Sequence, residues 1–292
     1  MKKAFDKGTA IGFVVGMGAI AGSVVIEGGN LFSYFNVSAT LLIFGGCVGI
    51  ALVAFPLSLV MRVPKLIMLA FKEPKHDGAA LVEQFVHLAE RARRDGLLAL
   101  EQEAAGITEP LLKKGIMLVV DGTDPEVVKA VLEIEVVARE ARHEVGIGLF
   151  EGLGGYAPAL GILGTVMGLI RILAHMGKAD ELAKAIAVAF TATLYGVGSA
   201  NLFWLPVAGK LKRRSAEEAE HAALVIDGVA ALQAGDNPRI VREKLSGYVG
   251  PVKAKKGKAA AAPEGAGVPA QAGAWSWRAS RRWSRKTVSA GC

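Results

Sequence analysis

Hydrophobic residues in this chain are gathered into long runs that are separated by strongly polar stretches. About 20 apolar residues of helix cross the hydrocarbon core of a bilayer. We therefore predict four membrane-spanning helices, at residues 8–26, 37–61, 153–174 and 183–208. The third and fourth runs flank a short polar hinge and form one hairpin. A proline and a hydroxyl residue interrupt each run of this hairpin: Pro158 and Thr165, then Thr193 and Pro206.

The hairpin residues predict close contact with protein or water. Neither proline can donate a backbone hydrogen bond, and a bare carbonyl in lipid costs several kcal/mol. Small residues recur near the threonines at helical steps: Gly161, Gly168, Gly196 and Ala200. One interpretation is tight packing, with hydroxyls bonded back to their own helices. The other is that the two small faces border an ion path.

The polar segments are predicted to be cytoplasmic. Lys and Arg residues concentrate before the first span, after the second and after the fourth, so the positive-inside rule places both termini inside. Residues 1–7 form a short N-terminus, 62–152 a helical region, 209–250 further helices and 251–292 a disordered basic tail. In the helical region, Leu81, Phe85 and Leu88 follow helix periodicity, with an irregularity expected at Gly96.

Two features near the chain ends allow alternatives. Ala19 and Ala21 make a signal-peptidase-like pattern, but it lies within the apolar run instead of after it, so we expect the segment to be retained. The tail is low-complexity and ends in a Trp- and Arg-rich stretch. That stretch is either unstructured or a contact for anionic lipid or RNA. Because the tail supplies much of the net charge of +7, this charge does not indicate a nucleic-acid partner.

Enzyme signatures are scarce. The sequence has no phosphate-binding loop, its five histidines lack metal-ligand spacing, and two cysteines cannot form a disulfide framework. Glu101 and Glu103 are typical of a solvated helix face. We expect no catalytic residue, no resident metal and no cofactor.

The predicted spans contain no Asp or Glu in their interiors, and Arg171 is their only deep charge. A protein that translocates ions normally needs an intramembrane carboxylate to hold the ion transiently. If this chain moves ions, a partner must supply that group, which argues against a self-contained channel.

Several segments together resemble the MotA family of flagellar stator subunits, within the wider MotA/TolQ/ExbB group. The similarity covers residues 8–249 and rests on these motifs: YAPALGILGTVMGLI, AVAFTATLYGVGSANLFWLPVAGKLK, LAERARRDGLLALE, DGTDPEVV and AGDNPRIVREKL. TolQ-like and ExbB-like members have three spans, so the predicted fourth span favours a stator. The alternative is an energiser of envelope transport with a TolR-like or ExbD-like partner.

The resemblance implies an all-α integral membrane protein of the bacterial inner membrane. Five such subunits would surround two MotB-like subunits, each carrying the ion-binding aspartate on a single span. The translocated ion would be a proton or sodium. Pro158 and Pro206 match the family's prolines near the ion site, and Thr165 and Thr193 match hydroxyl positions of sodium-using stators. We lean to sodium, with a transient site near the threonines, and leave the proton open.

The same resemblance implies a contact with the rotor protein FliG. Arg93, Arg94 and Glu101 match the charged residues of that contact. Arg94 and Glu101 are seven residues apart, so we expect them on about the same face of one helix.

Overall fold

A computed structural model describes residues 4–73, 77–174 and 179–249 of the chain, apart from the side chains of residues 4, 5, 73 and 179–184. The predicted all-α membrane fold is confirmed. The helices are α1 (Lys7–Ile26), α2 (Val37–Ala54), α3 (Val63–Ala70), α4 (Gly78–Asp95), α5 (Leu100–Gly106), α6 (Pro110–Val120), α7 (Pro125–Ala174), α8 (Ala179–Ser199), α9 (Leu205–Gln233) and α10 (Pro238–Val249). In the described part, the β-structure is one antiparallel pair, β1 (Ala4–Phe5) with β2 (Lys72–Glu73).

Four helical stretches are long and apolar enough to cross a membrane: Lys7–Ile26, Val37–Ala54, Pro125–Ala174 and Ala185–Gln233. The last of these combines most of α8 with α9, which are joined by a π-helical segment, Ala200–Trp204. α7 has 50 residues and is therefore about 75 Å long. It contains the whole predicted third span and the last part of the predicted cytoplasmic region, residues 125–152.

The second membrane helix ends earlier than residue 61, the predicted limit. α2 ends at Ala54, and Phe55 is extended, with φ −130° and ψ 151°. Pro56 explains the break, because a proline disfavours helical geometry in the residue before it. A single helical turn, Leu57–Val60, follows, and then α3.

The start of α7 follows the expected capping chemistry. Pro125 is its first residue, where the missing N–H has no intrahelical partner to lose. The Asp124 carboxylate accepts a hydrogen bond from the Glu126 amide at 3.0 Å. These residues fix where the long helix begins.

Buried apolar side chains form two separate cores. The first lies among α4 to α6, the start of α7, the end of α9 and α10, and includes Phe85, Leu112, Leu132 and Leu245. The second lies where α2, the middle of α7 and the start of α9 meet, and includes Ile43, Phe150 and Val207. Because α7 and α9 contribute to both cores, they connect the membrane part to the rest of the chain directly.

Candidate functional site

The structure brings Thr165 of α7 and Thr193 of α8 into direct contact. Their hydroxyls hydrogen-bond to each other. Both also lie near the carbonyl oxygen of Gly161, Thr165 at 3.1 Å and Thr193 at 3.2 Å. The Ala189 carbonyl oxygen lies 3.3 Å from the Thr165 hydroxyl. Four oxygen atoms from two helices therefore meet at one point near the middle of the predicted spans.

This cluster has fewer protons than acceptor sites. Each threonine hydroxyl has one proton to donate, and each carbonyl oxygen has two lone pairs. Even with the helical backbone amide that each carbonyl also accepts from, these donors cannot fill the two acceptor sites on each of the four oxygen atoms, so the cluster keeps free lone pairs. Both threonine side chains are half-buried. Both hydroxyls thus bond across the helix pair, and the Thr165 hydroxyl also lies within bonding distance of a carbonyl of its own helix.

Glycines allow the backbones of α7 and α8 to approach this closely. A methyl group added at Gly196 would lie 2.5 Å from the Ala157 carbonyl oxygen and 3.0 Å from the Gly161 Cα. One added at Gly164 or Gly168 would lie 2.5 Å from an alanine Cβ of α8. The predicted small faces therefore pack against each other, as small residues do in membranes.

Pro158 lies at another level of α7, whereas Pro206 lies on α9, beyond the π-helical segment that follows α8. Pro158 is seven residues from Thr165, about 10 Å along α7, and is half-buried. Pro206 is exposed and is 13 residues from Thr193, a rise of about 20 Å along the helix axis. The structure thus brings the two threonines together but gives neither proline a hydrogen bond or ring contact with them in its described part.

Helical irregularity and open space surround Pro206. The π-helical segment Ala200–Trp204 precedes it, and the Leu205 amide donates to the Ala200 carbonyl. Such π-turns often occur at functional sites. A cavity of about 270 Å³ lies beside Pro206. Its polar lining comes from Thr9, Asn201, Lys210 and Arg213. The carbonyl that Pro206 leaves without its usual donor belongs to Leu202, which also lines this cavity.

Arg93, Arg94 and Glu101 are all exposed, but they do not share one helix. α4 ends at Asp95, Gly96 has a φ of +84°, and Glu101 lies on α5. The expectation that Arg94 and Glu101 lie on one face of one helix is therefore wrong. Gly96 adopts a backbone conformation that ends the helix, so the seven-residue spacing loses its meaning.

Sequence reasoning missed Arg91 as the residue that connects these two helices. Its guanidinium lies 3.2 Å from the Asp95 carboxylate and 3.5 Å from the Glu103 carboxylate. Arg91 thereby joins the end of α4 to α5 across the Gly96 turn. The spacing of four between Arg91 and Asp95 was a signal for the first pair. The second pair depends on the turn and had none.

A second missed contact fixes the start of α1. The Asp6 carboxylate caps this helix, accepting from the Thr9 amide at 3.2 Å and the Thr9 hydroxyl at 2.8 Å. It also forms an ion pair with Lys210 of α9. The Lys210 ammonium and the Thr9 bonds hold the pKa of Asp6 well below its usual range. The first membrane helix is thus anchored to α9 at its N-terminal end.

Together these features define a class of protein: a multi-pass helical membrane protein with an oxygen-rich contact inside a helix hairpin. Its spans contain no internal Asp or Glu. Arg171 is exposed in the last turn of α7. It lines a cavity of about 160 Å³ together with Ser38 and with Gly164, the residue before Thr165.

Comparison with known proteins extends this assignment. The sequence profile of the MotA/TolQ/ExbB proton channel family matches residues 103–223, and that of the motility protein A N-terminal region matches residues 10–96. Motility protein A of Bacillus subtilis is 38% identical over 245 residues, which cover 84% of this chain and 91% of the relative. Chemotaxis protein PomA of Vibrio alginolyticus is 34% identical, with 84% and 95% covered.

Solved structures agree with these relatives. The flagellar MotAB stator complex of Bacillus subtilis contains a chain that superposes with a TM-score of 0.79 at 38% identity, covering 84% of this chain and 96% of that one. A chain of C. jejuni MotAB superposes with a TM-score of 0.80 at 26% identity, covering 87% and 99%. The chain belongs to the motility protein A family of flagellar stator subunits. It is accordingly a multi-pass protein of the inner membrane.

Proposed function

We propose that this chain is the non-enzymatic scaffold of an ion-driven motor and that a partner helix supplies the ion-binding acid. The observation that carries this proposal is the oxygen cluster of Thr165, Thr193, Gly161 and Ala189 in a membrane region without Asp or Glu. These oxygens can replace part of a cation's hydration but cannot neutralise its charge. The chain works without a resident cofactor, and the translocated cation is its cargo.

The partner is a MotB-like subunit with one span and an intramembrane aspartate. Support comes from the two structural neighbours, which are chains of C. jejuni MotAB and of the flagellar MotAB stator complex of Bacillus subtilis. The aspartate would lie beside the α7–α8 hairpin, with Pro158 and Pro206 bordering the same path toward the cytoplasm. Both termini of this chain then lie in the cytoplasm, as the Lys and Arg distribution indicates.

The assembly contains several copies of this chain, five by analogy with the family. α1 supports self-association, since none of its residues is buried within the chain. Its glycines recur at intervals of four at Gly8, Gly12 and Gly16, a spacing that suits helix contacts in membranes. An added methyl group at Gly12 would have no atom within 4 Å, so this position is open to another subunit or to lipid.

Torque is delivered at the exposed turn between α4 and α5. Arg93, Arg94 and Glu101 present charge there for the rotor protein FliG. α7 and α9 run from the membrane part into the core that holds α4 and α5. A rotation of the membrane helices would therefore move the charged turn with them.

Motility tests the site most directly. A strain without its own stator should swim when given this chain and its cognate MotB-like partner. Thr193→Val removes a hydroxyl from the oxygen cluster with little change in shape and should reduce swimming speed. Thr191→Val is the matched control, because among the described residues the Thr191 hydroxyl bonds only to the Ala187 carbonyl of its own helix, at 2.7 Å. Equal speeds of the two variants would contradict the role of the cluster.

The rotor contact needs a separate test. Charge reversal at Arg93 or Glu101 should lower torque while leaving the amount of assembled stator unchanged. Reversal at Arg239, which is exposed on α10, is the control. Unchanged swimming of the Arg93 and Glu101 variants would reject this contact.

Sodium is the favoured ion because several neutral oxygens converge at the cluster, as hard cations require. Swimming speed measured against external sodium at fixed pH decides between the ions. A speed that rises with sodium supports the sodium assignment. A speed that is independent of sodium assigns the motor to protons.

A further inference from the structure

A cavity of about 450 Å³ lies between α3, α7 and α9, away from the oxygen cluster. Its lining is strongly basic. Four cationic side chains contribute to it, from Arg62, Lys72, Arg142 and Arg214, whereas Glu218 is its one carboxylate. The Glu218 carboxylate lies 4.0 Å from the His143 ring, and the other ring nitrogen of His143 bonds to the Ser215 hydroxyl at 3.1 Å.

Arg214 has no ion-pair partner in the part of the chain that the structure describes. Its side chain is buried, with 6% of its surface exposed. One guanidinium nitrogen donates to the Leu69 carbonyl, but Nη2 has no hydrogen-bond partner among the described residues. A buried guanidinium nitrogen without a partner is costly, since its donors have lost water and gained no acceptor. Arg62 and Arg142 also have no ion pair within the described part of the chain.

The position of the cavity matches the headgroup layer of the membrane. The apolar run of the fourth span ends near Lys210, and Arg214 lies one helical turn further, about 6 Å along α9. The headgroup layer is about 5–7 Å thick on each side of the hydrocarbon core. Arg214 is therefore placed at the depth of lipid phosphates on the predicted cytoplasmic side.

The rest of the lining distinguishes a lipid from a free anion. Five aliphatic side chains share the cavity with the cations: Leu59, Leu66, Leu69, Ile147 and Leu211. A soluble phosphate would leave these side chains without contacts. A phospholipid would place its phosphate among the cations and the start of an acyl chain against the leucines.

We propose that this cavity binds the phosphate of an anionic phospholipid from the cytoplasmic leaflet, with Arg214 and Arg142 as its main contacts. Basic pockets at this membrane face are suited to anionic headgroups. Bound lipid would join α3, α7 and α9 at the level where the membrane part meets the cytoplasmic region. This site is independent of the ion path.

Native mass spectrometry of the full-length chain in detergent tests the proposal. The delipidated protein is incubated with equal amounts of phosphatidylglycerol and phosphatidylcholine, and the bound lipid is identified from the mass of the complex. The protein should retain phosphatidylglycerol in preference. Arg214→Gln and Arg142→Gln should each weaken its binding about fivefold, the effect of removing one cation near lipid phosphate. Arg142 is exposed, so its variant should fold even if the Arg214 variant does not.

Arg213→Gln is the matched control. Arg213 carries the same charge at the same depth but lines the cavity beside Pro206. Equal retention of the two lipids by the wild-type chain would overturn the proposal. So would Arg142→Gln and Arg214→Gln variants that bind phosphatidylglycerol as well as Arg213→Gln does. Full displacement of the lipid by millimolar inorganic phosphate would identify a soluble phosphate as the ligand and overturn the assignment to lipid.

Discussion

Gly196→Ala should separate the two helices that form the oxygen cluster. The added methyl carbon would lie 2.5 Å from the Ala157 carbonyl oxygen and 3.0 Å from the Gly161 Cα, both of them backbone atoms. Ordinary contact begins near 3.4 Å, so α7 and α8 must move apart by about 0.9 Å. The 3.2 Å separation between the Thr193 hydroxyl and the Gly161 carbonyl would then exceed hydrogen-bonding distance.

The expected cost combines overpacking with this lost bond. Overpacking typically destabilises by about 1–3 kcal/mol. For a chain of this size, each kcal/mol lowers the thermal midpoint by about 2–4 °C. We therefore expect the Gly196→Ala protein to unfold several degrees lower in detergent and to support slower swimming.

Gly198→Ala is the control for the same substitution on the same helix. An added methyl group there has no atom within 4 Å, so packing should be unchanged. Both variants are measured by thermal unfolding and by swimming speed in the complemented strain. If Gly196→Ala matches Gly198→Ala in both assays, close packing at Gly196 does not maintain the cluster.

Three further predictions concern contacts outside the cluster. Asp6→Asn should destabilise the protein by about 1 kcal/mol near neutral pH by removing the Lys210 ion pair. Because the folded-state pKa of Asp6 is lowered, this contribution is complete above the unfolded pKa and is lost progressively as pH falls from the unfolded pKa through the folded pKa. The thermal midpoints of Asp6→Asn and wild type should thus converge in acid, and a gap that persists there would contradict the ion-pair origin. Asp77→Asn is the control, because Asp77 caps a helix by accepting from the Ala80 amide. Its thermal midpoint should stay close to wild type at every pH. Gly228→Ala should lower the thermal midpoint by several degrees, since its methyl group would lie 2.4 Å from the ring of Phe85, which is fully buried. Gly209→Ala lies in open space on the same helix and should leave the thermal midpoint unchanged. Equal midpoints of the Gly228→Ala and Gly209→Ala proteins would refute the overpacking. Arg91→Gln should reduce torque without reducing the amount of assembled stator, because α4 and α5 lose the ion pair between Arg91 and Glu103. Full torque in this variant would show that Gly96 alone fixes the geometry of the turn between α4 and α5.

Local rules predicted much of this fold because they depend on neighbouring residues. Long apolar runs indicated the membrane helices, and the start of α7 at Asp124 and Pro125 obeys a rule of the same kind. The early end of α2 follows from Pro56, whose effect on the preceding residue is equally local.

Contacts between distant segments could not be predicted in this way. The pairing of Thr165 with Thr193 depends on the register of the hairpin, which backbone contacts at Gly161 and Gly196 determine. Arg214 and Leu69 are 145 residues apart, so no spacing indicates their bond. The error at Arg94 and Glu101 arose because one glycine with positive φ turned one predicted helix into two. Family similarity pointed to Arg94 and Glu101 without giving their arrangement.

The central claim is that this chain provides an ion path but not the acid that loads it. Cation flux into proteoliposomes that contain the full-length chain alone, compared with the chain plus its MotB-like partner, tests this most directly. We expect no flux above empty liposomes for the chain alone and measurable flux only with the partner. Steady cation flux through the chain without any other polypeptide would contradict the account.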